Sequence, residues 1–257
     1  MDELIHFDQQ LLLTLNGSDS TWLDDVFLLI TKTGTWLPML AVLIWLLLRN
    51  RPWRDALLIL LGVGLVILIA DRFSSGFCKP FFHRFRPSHE PLLEGLVDLV
   101  DDRRGGLYGF ISSHAANTFG VATFLALALR RSIPHPSLLI PPPGPARTCS
   151  LDTSRTGRST LVEPLTLTLF SWACLSSYSR IYLGLHYPGD ILCGALFGVL
   201  TGFACWLLYR HLSQAVSRRY TPSSPVPSAL PIRSFDLYFF VATFWLTILF
   251  ILLSTAL

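Results

Sequence analysis

The sequence predicts an all-α integral membrane protein, a polytopic bundle of about six transmembrane helices preceded by a short helix at the membrane surface. Hydrophobic residues make up 51% of the 257-residue chain and charged residues only 14%, against about a quarter charged in soluble domains. The mean hydropathy is +0.51, and the apolar residues are concentrated in segments that approach the length of a membrane span. The net charge of +3 is too small to indicate nucleic-acid binding.

The apolar segments predict both surface helices and membrane spans. Residues 2–16 gather their large apolar side chains near one helical face, but the segment is too short and polar to cross a bilayer, so we expect an interfacial helix. A second short helix is expected around Trp22–Ile30, with N-cap candidates at Ser18, Asp19, Ser20 and Thr21. The six predicted spans cover approximately residues 35–48, 56–70, 113–129, 164–178, 188–209 and 237–257.

This order divides the chain into three regions. Residues 1–34 hold the short N-terminal helices, residues 35–209 the membrane-embedded core, and residues 210–257 a basic linker and an additional C-terminal span. Residues 132–163 are rich in proline, serine, threonine and arginine, which indicates a flexible cytoplasmic connector. The N-terminus has no basic segment, so no cleaved signal peptide is expected. The cysteines show no metal-ligand spacing, so neither a zinc site nor a disulfide framework is expected.

Basic residues in the loops predict the orientation of the bundle. The loops at residues 49–54, 130–158 and 210–233 carry three, five and four basic residues, so the positive-inside rule places them in the cytoplasm. The loops at residues 71–112 and 179–187 then face outside, although the first holds six basic and six acidic residues. Both termini are expected outside. The polar stretches in these two outer loops should therefore share one surface.

Three polar clusters adjoin the predicted spans on that outer side. They are Lys79-x6-Arg86-Pro87, Ser112-Ser113-His114 at the start of the third span, and Arg180-x5-His186-x3-Asp190 between the fourth and fifth spans. Charged residues at a membrane boundary usually have a partner or a function. Each cluster alone has another interpretation. The cations could anchor the chain at lipid headgroups, His114 could bond a backbone group, and His186 with Asp190 could be half of a metal site.

Together, the clusters form a chemically complete set for phosphoryl transfer. Lys79, Arg86 and Arg180 can neutralise the phosphoryl oxygens. Ser112 and Ser113 begin a helix whose free N–H groups favour an anion. One histidine can attack phosphorus while the other protonates the departing oxygen, and the aspartate that follows the attacker can fix its tautomer.

These clusters resemble the three signature motifs of the type 2 phosphatidic acid phosphatase superfamily, K-x6-R-P, P-S-G-H and S-R-x5-H-x3-D. The first and third are complete here, beginning at Lys79 and Ser179, whereas the second has Ile111 in place of proline and Ser113 in place of glycine. A serine adds a side chain where the backbone should approach phosphate closely, so it could alter rate or substrate range. The resemblance covers about residues 53–209 and implies the helical catalytic core shared with haloperoxidases.

The resemblance implies a role for each residue of the clusters. His186 corresponds to the nucleophile that becomes phosphohistidine, Asp190 to the residue that orients it, and His114 to the general acid for the leaving group and then the base for water. The phosphate-binding positions correspond to Lys79, Arg86, Ser112, Ser113 and Arg180. The family reaction needs no metal, and no cofactor is expected.

The expected partners are the lipid bilayer and a membrane lipid that carries a phosphate, and the expected location is the inner membrane of a bacterium with the site facing the periplasm. The short N-terminal helix and the two spans before the first motif are similar to bacterial undecaprenyl-diphosphate phosphatases. Conversion of undecaprenyl diphosphate to undecaprenyl phosphate is therefore the leading expectation. Phosphatidylglycerophosphate and lipid A phosphatases share the motifs and are alternatives, as are a non-catalytic headgroup-binding protein and a vanadium haloperoxidase.

Overall fold

Helices account for nearly all of the regular structure in the computed structural model, which describes residues 2–130, 162–220 and 234–256. They are α1 (Asp2–Leu15), α2 (Thr21–Thr31), α3 (Leu37–Asn50), α4 (Trp53–Asp71), α5 (Lys79–Phe82), α6 (Ser113–Arg130), α7 (Val162–Tyr182), α8 (Pro188–Tyr220) and α9 (Ser234–Ser254). The predicted connector at residues 132–163 lies almost entirely outside the described residues, as do residues 221–233 of the predicted basic linker.

Several of these helices are long and apolar enough to cross a membrane. Within the described ranges they form four candidate spans, Thr33–Asn50, Trp53–Phe82, Pro188–Val216 and Phe235–Ser254. The two other predicted spans are also helical. Helix α6 is apolar but shorter, and α7 ends in the polar run Ser176-Ser177-Tyr178-Ser179-Arg180. The prediction of an all-α polytopic bundle is confirmed, and the chain is a multi-pass membrane protein.

The second span runs further than its apolar core. The sequence predicts an end at Asp71-Arg72, but the helix continues through a π-helical segment at Arg72–Cys78 and on into α5. Within this segment, the Ser74 hydroxyl donates a hydrogen bond to the carbonyl oxygen of Ala70, in the preceding turn, at 2.8 Å. The helix ends at His83, which adopts a left-handed conformation with φ of 47°.

Helix α6 lies at the centre of the bundle and packs on α4, α7 and α8. Its contact with α8 brings the two backbones together, because glycines recur at every fourth position of α8. A Cβ atom at Gly198 would lie 2.3 Å from the carbonyl oxygen of Ala116, and one at Gly202 would lie 2.3 Å from that of Gly120. These glycines therefore fix the separation of α6 and α8, as small residues do in membrane bundles.

The short helices α1 and α2 form where the sequence predicts them. Ser20 is the N-cap of α2, and its hydroxyl accepts a hydrogen bond from the Leu23 N–H at 3.4 Å. Helix α1 exposes Leu4 and Phe7 but buries Leu12 completely, against the loop between α7 and α8. Its apolar face is thus split between the exterior and the bundle.

The end of the bundle remote from α1 holds two buried ion-pair networks, which we call the opposite end. Arg51 donates to the Asp55 carboxylate at 2.6 Å and to the Ala128 carbonyl at 3.1 Å. Asp236 accepts from the Asn50 amide at 2.8 Å and forms an ion pair with Arg49 at 3.2 Å. These contacts join α3, α4, α6 and α9.

Candidate active site

The three polar clusters converge at the other end of the bundle, which we call the site end. The Lys79 ammonium donates to the Ser113 hydroxyl at 2.9 Å, which joins the first cluster to the second. The backbone N–H of Ser112 donates to the carbonyl oxygen of Asp190 at 3.1 Å, which joins the second to the third. Residues that lie more than 100 positions apart in the sequence therefore form a single group.

His186 and Asp190 form the buried centre of this group. Nδ1 of His186 lies 3.4 Å from Oδ2 of Asp190, and both side chains are almost fully buried. The backbone N–H of Tyr187 also donates to Oδ2, at 3.2 Å, and holds the carboxylate in place. Because Nδ1 faces the carboxylate, Nε2 is the ring nitrogen left to react with a substrate.

The charge state of His186 suits a nucleophile. Burial lowers its pKa to about 4, even though Asp190 acts in the opposite direction, and the positive charges of Arg86 and Arg180 add to the lowering. The imidazole is therefore neutral at neutral pH, with a lone pair available for attack. The same two arginines are the groups that would hold an anion beside it.

Three cations at this end, Lys79, Arg86 and Arg180, have no carboxylate partner among the described residues. Arg86 is buried and uses Nε to donate to the carbonyl oxygen of Tyr108 at 3.2 Å, and burial lowers its pKa despite the field of Asp190. Arg180 donates to the Thr31 hydroxyl at 2.8 Å, and its buried Nε has no hydrogen-bond partner. Lys79 contacts only serine hydroxyls. An anion would satisfy these donors.

The π-helical segment supplies the serines around Lys79. The hydroxyl of Ser113 lies 2.8 Å from that of Ser74 and 3.1 Å from that of Ser75, and Lys79 also donates to Ser75 at 3.2 Å. Ser113 stands where the resemblance expects glycine. In this chain its side chain holds the ammonium group, while its backbone begins α6.

The start of α6 presents the remaining predicted residues to the same space. The Ser112 hydroxyl accepts a hydrogen bond from the Ala115 N–H at 3.4 Å and so caps the helix. His114 follows in the first turn, half-buried, within electrostatic range of Arg180 and His186. All eight predicted site residues therefore lie at the site end, around the buried histidine.

Sequence reasoning missed four residues that shape this site. Arg84 donates to Asp190 at 2.8 Å and to Asp8 of α1 at 2.7 Å, and Thr31 holds Arg180. A Cβ atom at Gly109 would lie 3.0 Å from Asp190 Oδ2 and 3.1 Å from Arg86 Cγ, so glycine permits their approach. Only Arg84 had a signal, as a third cation inside the first motif; the others depend on tertiary contacts.

The donor set at the site end is that of an anion site. Its members are mainly ammonium, guanidinium and N–H donors around one histidine–aspartate pair. Among the described residues, histidine, cysteine, aspartate and glutamate do not gather in groups of three or more that could hold a metal ion.

Comparison with known proteins agrees with this geometry. Residues 55–214 match the PAP2 superfamily. The chain is 35% identical over 225 residues to a lipid A 4'-phosphatase of Bacteroides thetaiotaomicron, covering 87% of this chain and 84% of that protein. It is 36% identical over 231 residues to a lipid A 4'-phosphatase of Porphyromonas gingivalis, covering 90% and 84%.

The fold also matches a solved structure. A transmembrane PAP2-type phosphatidylglycerolphosphate phosphatase from Bacillus subtilis superposes with a TM-score of 0.54 over 85% of this chain and 90% of that one. At 21% sequence identity this match supports the fold only. The family match over residues 55–214 and the two relatives above show that the chain belongs to the PAP2 superfamily and is a membrane-embedded phosphatase.

Proposed function

We propose that the chain removes a phosphate group from a membrane lipid by way of a phosphohistidine at His186, with the 4'-phosphate of lipid A as the first substrate. One observation carries the proposal. Lys79, Arg86 and Arg180 lie at the site end with the buried His186, and no described carboxylate pairs with any of the three. A phosphate dianion would supply the missing negative charge next to the nucleophile.

The first step transfers the phosphoryl group to the protein. Nε2 of His186 attacks phosphorus and forms the P–N bond, while the P–O bond to the lipid breaks. His114 gives a proton to the departing oxygen, so that the lipid leaves as an alcohol. The negative charge of the bound phosphate favours the protonated form of His114 that this step needs. Asp190 holds the ring and stabilises the positive charge that develops on it.

The second step restores the protein. Water attacks phosphorus, His114 takes the proton from that water, and the P–N bond breaks with its electron pair returning to His186. Orthophosphate leaves, and both histidines regain their starting protonation states. The three cations balance the phosphoryl charge in both steps.

The choice of lipid rests on the relatives. Two proteins described as lipid A 4'-phosphatases share about a third of their residues with this chain over most of their length. Their similarity favours lipid A over undecaprenyl diphosphate as the substrate. The layout of the spans alone suggests undecaprenyl diphosphate. Both lipids carry a terminal phosphate at the membrane surface. The site end lies at the same level if the exposed face of α1 contacts the headgroups.

The experiment combines a substrate panel with a paired histidine substitution. Purified protein is assayed for phosphate release from lipid A, undecaprenyl diphosphate and phosphatidylglycerophosphate. His186→Ala should reduce release at least about 10³-fold, because the nucleophile is lost. His211→Ala, on the exposed far part of α8, should retain wild-type activity.

Two results would contradict this function. Full activity of His186→Ala would remove the phosphohistidine. Binding of a lipid phosphate by the wild-type chain without any turnover would instead support a headgroup-binding protein.

We further propose that the site end faces the periplasm of a bacterial inner membrane, because the positive-inside rule assigns the basic sequence stretches at residues 49–54, 130–158 and 210–233 to the cytoplasm. Leu92 is strongly exposed in the loop at the site end, and His211 is exposed near the opposite end. A membrane-impermeant thiol reagent added to intact cells should label Leu92→Cys above the parent chain but not His211→Cys. The reverse pattern would place the site in the cytoplasm.

A further inference from the structure

Helix α1 contributes a charged residue to the active site, although it lies outside all three signature motifs. Oδ2 of Asp8 lies 2.7 Å from one terminal nitrogen of Arg84, and the other terminal nitrogen of Arg84 lies 2.8 Å from Oδ1 of Asp190. Asp190 in turn contacts Nδ1 of His186. The four side chains therefore form a continuous line from the surface helix to the proposed nucleophile.

We propose that Arg84 and Asp8 are positioning residues that act through Asp190 to set the orientation and charge of His186. This inference rests on the proposed function, because it takes His186 as the group that receives the phosphoryl. Among the described residues, neither Arg84 nor Asp8 forms a hydrogen bond or ion pair with a member of the phosphate-binding set. Their influence on the reaction must pass through Asp190.

The Arg84 guanidinium is fixed on three sides. It makes one contact with each of two carboxylates, and its central carbon lies 4.1 Å from the centroid of the Tyr187 ring. Burial alone would lower the pKa of Arg84, but Asp190 and Asp8 outweigh burial and raise it. The group is therefore permanently charged. A planar fork fits this geometry, whereas a lysine ammonium could not reach both carboxylates in the same way.

Asp8 has a second contact that ties it to the catalytic loop. Its Oδ1 accepts a hydrogen bond from the backbone N–H of Gly189 at 2.8 Å. A Cβ atom at position 189 would lie 2.6 Å from Oδ2 of Asp8, so the glycine makes room for the carboxylate. Asp8 therefore binds both Arg84 and the backbone one residue before Asp190.

The rest of α1 holds Asp8 at this place. Leu12, one turn further along, is fully buried against Ile181 and Tyr187. Asn16, just after the helix, donates to the carbonyl oxygen of Tyr182 at 2.7 Å. Helix α1 is thus held against the end of α7 and the loop before α8 at two further points. The ion pair between Asp8 and Arg84 is therefore part of the docking of α1 and not an isolated surface contact.

The charges in this line have opposite effects on His186. Asp190 stabilises the imidazolium form, Arg84 offsets Asp190, and Asp8 offsets Arg84. The other charged or titratable groups that face the histidine are Arg86, Arg180 and His114. Removing Arg84 should therefore favour protonation of His186, and removing the charge of Asp8 should disfavour it.

The test compares Arg84→Met, Arg84→Lys and Asp8→Asn with the wild-type chain. We expect kcat to fall about 100-fold, 10-fold and 5-fold respectively, with KM changed less than about twofold, because the phosphate-binding groups are untouched. Orthovanadate, a phosphate mimic, should inhibit all three as it inhibits the wild type, which also reports that they fold. Glu3→Gln, an exposed carboxylate on the same helix, should have no effect.

A pH measurement separates positioning from simple structural support. Nitrogen NMR of histidine-labelled protein, assigned with His186→Ala, gives the pH at which His186 is half protonated without requiring turnover. That pH should rise by about one unit in Arg84→Met and fall by about half a unit in Asp8→Asn. Unchanged values, or shifts in the same direction, would overturn the inference even if the wild type hydrolyses every lipid tested.

The double variant gives an independent check. If Asp8 acts through Arg84, Asp8→Asn should lower kcat less than about twofold in the Arg84→Met background. Multiplication of the two single effects would mean that the residues act separately. Activity of His186→Ala, by contrast, would contradict the proposed function while leaving the NMR shifts as the test of the line of charges.

Discussion

The two ends of the bundle treat buried charge in opposite ways. At the opposite end, Arg51 is paired with Asp55, and Asp236 is held by Asn50 and Arg49. At the site end, Arg84 is also paired with carboxylates, but the described partners of the buried Arg86 and the half-buried Arg180 are a carbonyl and a hydroxyl. Burying a cation without a counter-charge is unfavourable. Arg86 and Arg180 therefore favour the binding of an anion, whereas Arg51 at the opposite end already has a carboxylate partner.

The largest effect should follow from removing a cation at the site end. Arg180→Met should lower kcat/KM about 10²- to 10³-fold, because the guanidinium balances charge on the transferred phosphoryl group. Arg180→Lys should recover only part of this loss, since lysine lacks the planar fork. Steady-state kinetics with the best lipid of the panel measures both. Near-normal kinetics for Arg180→Met would contradict the view that the cations of the site end act on the substrate.

The matching substitution at the opposite end should affect stability instead. Arg51→Met leaves the Asp55 carboxylate and the Ala128 carbonyl without this donor, which should lower the free energy of unfolding by about 3 kcal/mol. The apparent unfolding temperature in detergent should fall, while kcat of the folded protein stays within about twofold of wild type. A large loss of kcat at full stability would show that the opposite end also serves the reaction.

A smaller effect should come from Ser113, which contacts Lys79 at the site end. Ser113→Ala should lower kcat/KM about threefold to tenfold, because the ammonium loses one hydrogen-bond acceptor. Ser113→Gly distinguishes two explanations. If the hydroxyl matters, glycine should behave like alanine; if the added side chain hinders phosphate, glycine should exceed wild-type activity. The ratio of the two variants in one assay decides between them.

The sequence predicts the residues of the three motifs, but it does not predict the residues that hold them in place. Residues such as His186 and Lys79 stand out because charged groups are rare beside apolar segments. Each of them also belongs to a motif that is a short continuous stretch of sequence. Asp8 could not be recognised, because its partner Arg84 lies 76 positions away and only the docking of α1 brings them together. The sequence predicts a loop where the π-helical segment lies, since the backbone contacts of serines such as Ser74 form only in the folded helix.

The sequence also carries a sign of close helix packing in α8. Glycines at positions 194, 198 and 202 of α8 form a repeat of small residues, which is the usual sign of close helix contact in a membrane. Their repeat predicts contact with some helix but does not say which one. The structure shows that the partner is α6.

That contact has a consequence for how such an enzyme can change over evolution. His114 lies in the first turn of α6 and Asp190 in the first turn of α8, so the separation of these two side chains depends on the glycines further along α8 that set the distance between the helices. The exposed residues of the segment between α5 and α6, such as Leu92, lie outside this helix contact. Substrate preference can therefore diverge through loop substitutions while the spacing of the reacting groups is inherited unchanged.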